Sequence, residues 1–325
     1  MKRRTLLLTG LASSLSTQWT SAEAQRDTKR IGWLTAQRPA SLEPYLRAFR
    51  DGLAALGYEE GRNLTVEYRY GDDDIGRVPE LADSLVRSPV SLIIAQGAAV
   101  SVAKKLNLPV PILFVFSADP VSAGVAVSLS RPGGNMTGIT HMAAEMNGKR
   151  MEILREFRPD LESVALIANP EHAGEQLERA YCEDVARQLS LALSYHPTRT
   201  SSELANAFRS VKASGAQSIC VFADGFAVQN RSSMIEFATS QRIPLISGWR
   251  VFAESGALCT YGPRLAESYR KLASYVDRVL AGAKPADLPI ERPTHFETII
   301  NGRTAKALGL TIPPTLLARA DEVIE

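Results

Sequence analysis

Residues 91–116 read SLIIAQGAAVSVAKKLNLPVPILFVF. Two apolar runs, Ser91–Ala95 and Val110–Phe116, flank a stretch with helical spacing over Ala98–Leu106. Runs without polar alternation fit strands buried on both faces, and a helix between two of them makes a parallel pair. The same grammar extends upstream. Ile31–Thr35 reads as a strand, Pro44–Leu56 as a helix closed by Gly57, Leu64–Tyr70 as a strand of period two, and Val78–Val86 as a helix. Right-handed crossovers turn such a series into a doubly wound layer.

The pattern restarts near Ser163. Strands are expected at Val164–Ala168, Leu191–His196, Ser218–Phe222 and Ile243–Ile246, with helices at Glu171–Leu189, Ser202–Ser214 and Val228–Gln241. Landmarks recur. Ile31–Thr35 matches Val164–Ala168, GAAV at Gly97 matches GFAV at Gly225, and VPILF at Val110 matches IPLIS at Ile243, at offsets of 133, 128 and 133 residues. Two similar halves in tandem account for this better than one long sheet. Gly133–Gly138 and Ile139–Ala144 lead from one half to the other. An amphipathic helix over Pro263–Leu280, a proline-rich passage, a strand at Phe296–Asn301 and a helix from Arg303 to Leu308 follow. A tail that revisits both halves gives three crossings. The expectation is an α/β protein of two doubly wound parallel-sheet lobes joined by a three-crossover hinge. One lobe comprises residues 25–140 plus about 263–290, the other 141–262 plus about 291–325.

Composition agrees with a globular chain. Of 325 residues, 45% are apolar and 22% charged, with 22 Gly and 18 Pro, which excludes disordered and collagen-like classes. Lys2, Arg3 and Arg4 precede a short leucine-rich stretch, and Ala22-Glu23-Ala24 fits a small-x-small cleavage site, the order of an export signal. The apolar part is far below the roughly 20 residues that span a bilayer. No cysteine near the cleavage site offers a lipid attachment point. Cleavage near Ala24 removes Lys2, Arg3, Arg4 and Glu23, so 37 bases and 35 acids become 34 of each. That balance removes the electrostatic basis for gripping nucleic acid. Cys182, Cys220 and Cys259 have no CxxC spacing and read as buried, inert thiols.

Catalytic patterns are missing. There is no HExxH, GxGxxG, phosphate-cradling loop or GxSxG elbow, so no cofactor, metal or catalytic residue is expected. His141, His172, His196 and His295 read as surface or loop residues. Binding has better support, because ligands of doubly wound sheets sit beyond the carboxyl ends of strands, near helix N-termini. Strand ends that open into helices carry Thr35, Gln96, Gly97, Ala98, Ser117, Asp119, Asn169, Asp224 and Trp249. Asp119 and Asp224 are placed either to receive an ammonium group or to cap the helices they precede. Trp249 either stacks on a ligand or fills the wall between lobes, and Phe116 reads as core.

Four segments carry a resemblance: PILFVFSADPVSAGVAVSLSRPGGNMTGIT (Pro111–Thr140), GALCTYGP (Gly256–Pro263), LAGAKPADLPIERP (Leu280–Pro293) and INGRTAKALGLTIPPTLLARADEVI (Ile300–Ile324). They resemble the ABC-transporter substrate-binding proteins whose relatives include tryptophan- and tyrosine-uptake receptors. The resemblance implies the type I periplasmic binding protein fold, with capture of a small solute and delivery to an inner-membrane permease by a periplasmic monomer. It also implies a cleft lined by Gln96–Ala99, Phe116–Asp119, Asn169, Asp224 and the Ser247–Trp249 turn. Ala98 departs from relatives that often carry a hydroxyl there, which loosens any inference about an amino-acid ligand. A receptor presenting its closed form to a membrane sensor needs the same hinge. An exported enzyme needs a base and nucleophile in the cleft, and a transcriptional regulator needs a helix-turn-helix where the export signal stands.

Overall fold

A computed structural model describes residues 28–141 and 143–325, together with the side chains of all of these except Ala143. The expected export signal lies outside the described residues. Five strands, β1 (Lys29–Thr35), β2 (Leu64–Tyr70), β3 (Ile93–Gln96), β4 (Ile112–Phe116) and β5 (Met136–Thr140), form a parallel sheet in the order β2-β1-β3-β4-β5. A second sheet holds β6 (Ser163–Ala168), β7 (Ala192–Pro197), β8 (Ser218–Val221), β9 (Leu245–Ser247), β10 (Cys259–Pro263), β11 (Phe296–Asn301) and β12 (Glu322–Ile324). Its order is β12-β11-β10-β9-β8-β6-β7, with only the β10–β11 pair antiparallel.

The first five strands of each sheet share one winding order. β6 occupies the place of β1, and β9 that of β4, so the repeated landmarks occupy equivalent places. Alternate side chains explain why the runs are continuously apolar. Leu92, Ile94, Leu113 and Val115 enter one core, while Ile93, Ala95, Ile112, Phe114 and Phe116 enter another on the opposite face. The second sheet repeats this, with Val164 and Leu166 on one face and Ala165 and Ile167 on the other.

Three connections cross between the sheets. After β5 the chain enters the helix Ala143–Phe157, whose Met151, Ile153 and Leu154 lie in the core that holds Val164 and Leu166 of the second sheet. After β10 it returns through the helix Leu265–Leu280, which buries Tyr269, Leu272 and Val276 against the first sheet. Beyond Ile290, itself in the first lobe, it runs back to β11. These crossings are pinned: Glu291 N–H donates to Gly138 O (3.0 Å) and Thr140 N–H to Glu291 O (3.0 Å).

Several elements differ from the sequence expectation. The helix expected from Glu171 starts at Glu175, because residues 169–174 fold into a turn in which Asn169 Oδ1 accepts Glu171 N–H (3.0 Å). The helix expected over Val228–Gln241 is two helices, Gly225–Gln229 and Arg231–Ser240, broken at Asn230. Gly133–Gly138 with Ile139–Ala144, expected only to lead from one half to the other, holds strand β5 with Gly138 at its centre. The glycine is what lets β5 approach β4. Its φ is +153° and a Cβ there would lie 2.1 Å from Phe114 O.

Candidate ligand-binding site

Where the two lobes meet, a cavity of about 360 Å³ is lined from both sides. The first lobe supplies the segments after β1 (Ala36, Gln37, Arg38), after β3 (Gly97, Ala98) and after β4 (Ser117), with Gln96 at the end of β3. The second supplies Asn169 and His172 after β6, Thr200 and Ser201 after β7, Asp224 to Phe226 after β8, and Trp249 after β9. The crossings contribute His141 and Tyr269. Such a crevice beyond the strand carboxyl ends is where doubly wound sheets take ligands.

Of the ten positions expected from sequence, seven are brought together here: Gln96, Gly97, Ala98, Ser117, Asn169, Asp224 and Trp249. Thr35, Phe116 and Asp119 are not. Thr35 has no exposed surface and its Oγ1 accepts Gln37 N–H (3.2 Å), so it shapes the turn that Gln37 follows. Phe116 is buried edge-on to Phe114 in the core of the first lobe. Asp119 Oδ1 accepts the N–H groups of Val121 and Ser122 (2.8 Å each), closing a turn outside the cavity.

Gln96 is held by three partners. Trp33 Nε1–H donates to its Oε1 (3.2 Å), and its Nε2 donates to Tyr269 Oη (2.7 Å) and Gln37 Oε1 (3.2 Å). Tyr269 is itself stacked between Tyr45 and Trp33, so the carboxamide has little freedom. Next to it, Gly97 takes φ +60° with open space where a Cβ would be. The helix Ala99–Leu106 then starts at Ala98 without a side-chain cap. Its first-turn N–H groups and positive dipole end suit an anionic ligand group.

On the opposite wall Asp224 does cap a helix. Its Oδ1 accepts Ala227 N–H (2.7 Å) and its Oδ2 accepts Asn169 Nδ2–H (3.1 Å). Burial raises its pKa, outweighing the lowering influence of His172 and of those two donors. His172 Nε2 lies 2.9 Å from Glu178 Oε1 and 3.5 Å, across the cleft, from Ser117 Oγ. Burial works against its imidazolium, but Glu178, with Asp224 and Glu175, raises its pKa above the usual histidine value. A raised folded pKa stabilises fully below the unfolded value, about 6.5, and the benefit is lost as pH rises through the folded value. His172→Gln should therefore melt furthest below the parent near pH 5.5, with the gap narrowing toward pH 9. A thermal-melt series across that range checks this, and a gap constant with pH would refute it.

Of the histidines read as surface or loop residues, His196 departs from that reading, being buried in β7, whereas His141 and His172 lie in loop segments at the cleft wall and His295 is largely exposed. His141 and Tyr269 went unnoticed as site residues because they belong to crossings, not strand ends. Phe226 and Gln37 lie within two residues of expected positions, so the strand-end rule reaches them when extended slightly. All three cysteines are buried free thiols. Among the described residues no cluster of His, Cys, Asp or Glu is placed to hold a metal ion, and no helix is long and apolar enough to cross a membrane.

Two wound lobes, three crossings and a cavity between them define the type I periplasmic binding protein fold, and solved structures share it. The chain superposes on a Streptococcus pneumonia ABC domain in complex with L-Trp with TM-score 0.85 at 22% identity, covering 91% of this chain and 100% of that one. It also superposes on the ligand-free, open structure of a substrate-binding protein with adhesive properties from Clostridium difficile, with TM-score 0.67 at 22% identity, covering 91% and 99%. A tyrosine-binding protein of Clostridioides difficile (strain R20291) is 24% identical over 308 residues, 94% of this chain and 88% of the relative. The sequence pattern described as ABC transporter substrate binding protein matches residues 38–324, and the chain belongs to that family.

Proposed function

We propose that this protein captures a small organic solute in the interlobe cleft and delivers it, unaltered, to the membrane permease of an ABC importer. The observation that carries the reading is the cavity of about 360 Å³ walled by both lobes, within the size range of small-molecule sites. Its chemistry suits a solute with an anionic end, which the uncapped helix start at Ala98 favours, and an apolar body lying near Trp249 and Phe226. The relatives named for tyrosine and L-Trp make aromatic amino acids the first probes. The lysine- and arginine-led stretch, the leucines after it and Ala22-Glu23-Ala24 support export to the periplasm with cleavage near Ala24. Closure moves residues 25–140 with 263–290 as one body and 141–262 with 291–325 as the other, about the three crossings. A ligand drives closure only by binding the closed form better than the open one.

The test pairs calorimetry with solution scattering, using L-tyrosine, L-tryptophan and a panel of aromatic and aliphatic acids as probes. One of these should bind, and saturation should shrink the radius of gyration. Chemical conversion of the bound probe, or binding without compaction, would overturn capture by closure.

A further inference from the structure

At the first crossing, His141 follows β5 and lines the cavity, yet only 4% of its surface is exposed. Its Nε2 has no hydrogen-bond partner among the described residues. A buried ring nitrogen is normally paired, so an orphan on a cavity wall points to a partner that arrives with the ligand. Its position is fixed. His141 N–H donates to Phe116 O (2.8 Å) and Thr140 Oγ1 donates to Ala118 O (2.9 Å), tying this crossing to the end of β4. The Trp249 ring stands edge-on to the imidazole, at 6.5 Å between centroids and 86° between planes. Histidine from the crossing and tryptophan from the second lobe thus form one corner of the cleft.

We infer that His141 Nε2 is the recognition point for an uncharged hydrogen-bonding group of the solute, a hydroxyl, phenol or amide, carried on a body that lies against Trp249. The inference rests on the capture reading above and specifies which solutes that cleft prefers. Two further points favour an uncharged group over a charged one. Burial alone shifts the His141 imidazole, holding its pKa down to about 4, so the ring is neutral at physiological pH. Among the described residues no carboxylate or guanidinium contributes to that shift, so a ligand charge seated there would have no counter-charge beside it. A neutral imidazole offers Nε2 as a donor or an acceptor according to its tautomer, so hydroxyl and amide groups both satisfy it. The anionic end of the solute belongs at the other corner, by Gly97 and Ala98, which gives the cleft a direction.

The experiment compares matched probes that differ by one hydroxyl: L-tyrosine with L-phenylalanine, 4-hydroxybenzoate with benzoate, and L-serine with L-alanine. Affinities are measured by calorimetry for the parent, His141→Phe and His141→Gln, the last placing an amide close to where Nε2 sits. In whichever pair binds, the hydroxyl member should bind the parent at least about 10-fold tighter, because an unpaired polar group discriminates strongly against the analogue that cannot fill it. His141→Phe should reduce that preference to about 2-fold or less, and His141→Gln should retain most of it. The same preference in the parent and His141→Phe, with binding intact, overturns the role of His141 and leaves capture standing. Failure of every probe to bind the parent removes capture itself, and this inference with it.

Discussion

Arg150→Met should lower the unfolding free energy by about 3–5 kcal/mol, the range for removing one partner of a buried charge network. Arg150 is 1% exposed, on the helix Ala143–Phe157, deep in the second lobe. Its Nε donates to Tyr261 O (2.9 Å) and its Nη1 to Asn147 Oδ1. Asn147 Nδ2 donates in turn to Glu178 Oε2 (2.7 Å), and Glu178 holds His172 in the cleft wall. Burial depresses the Arg150 pKa, while Glu178 is among the groups that support the cation. Methionine fills the space but leaves Tyr261 O and Asn147 Oδ1 without their donor, and removes the buried cation that the Glu178 charge faces. At roughly 2–4 °C per kcal/mol, the melting temperature should fall by about 10 °C. A double-mutant cycle with Glu178→Gln should show coupling of at least about 1 kcal/mol, since the two residues share one network. A melt within about 1 kcal/mol of the parent would mean that the network contributes little to the fold.

The fold was legible because burial on two faces leaves a direct mark on sequence. Ile93 and Ile94 enter opposite cores, as do Ile112 and Leu113, so neither strand carries a polar residue before its carboxyl end. The duplication was legible through the same marks at similar offsets. Strands β5, β10 and β12 were not picked out. β5 carries a glycine whose use, close approach to Phe114, is tertiary. β12 is a three-residue edge strand, too short for any period.

The cleft was legible only as far as strand ends define it. Asp119 and Asp224 look alike in sequence, each following a strand and preceding a helix-like segment. Asp119 turns outward because its carboxylate is taken by Val121 and Ser122, whereas Asp224 caps the helix Gly225–Gln229 at the cavity wall. Thr35 ends β1 inside the sheet, and the chain runs two residues further before Gln37 reaches the cleft. His141 and Tyr269 are brought in by the crossings, and no local pattern records which lobe a crossing faces.

The contact between Gln37 and Gly225 gives the most direct test of closure. Gln37 belongs to the first lobe and Gly225 to the second, and a Cβ on Gly225 would lie 2.8 Å from Gln37 Nε2. Gln37 in turn accepts from Gln96, so a line of contacts runs from Trp33 through Gln96 and Gln37 to the opposite wall. Gly225 is the first residue of its helix and its φ is not positive, so side chains are sterically compatible with its backbone. Gly225→Ala adds a methyl group that the flexible Gln37 side chain can avoid, and should weaken solute binding by less than about 10-fold. Gly225→Phe inserts a ring where the lobes meet. It should weaken binding at least about 100-fold, equivalent to about 2.7 kcal/mol, and hold the radius of gyration at its ligand-free value when solute is added. Without solute its melt should match the parent, because the ring displaces the other lobe rather than a core. Tight binding together with normal compaction in Gly225→Phe would show that the lobes do not meet at this contact when solute is held.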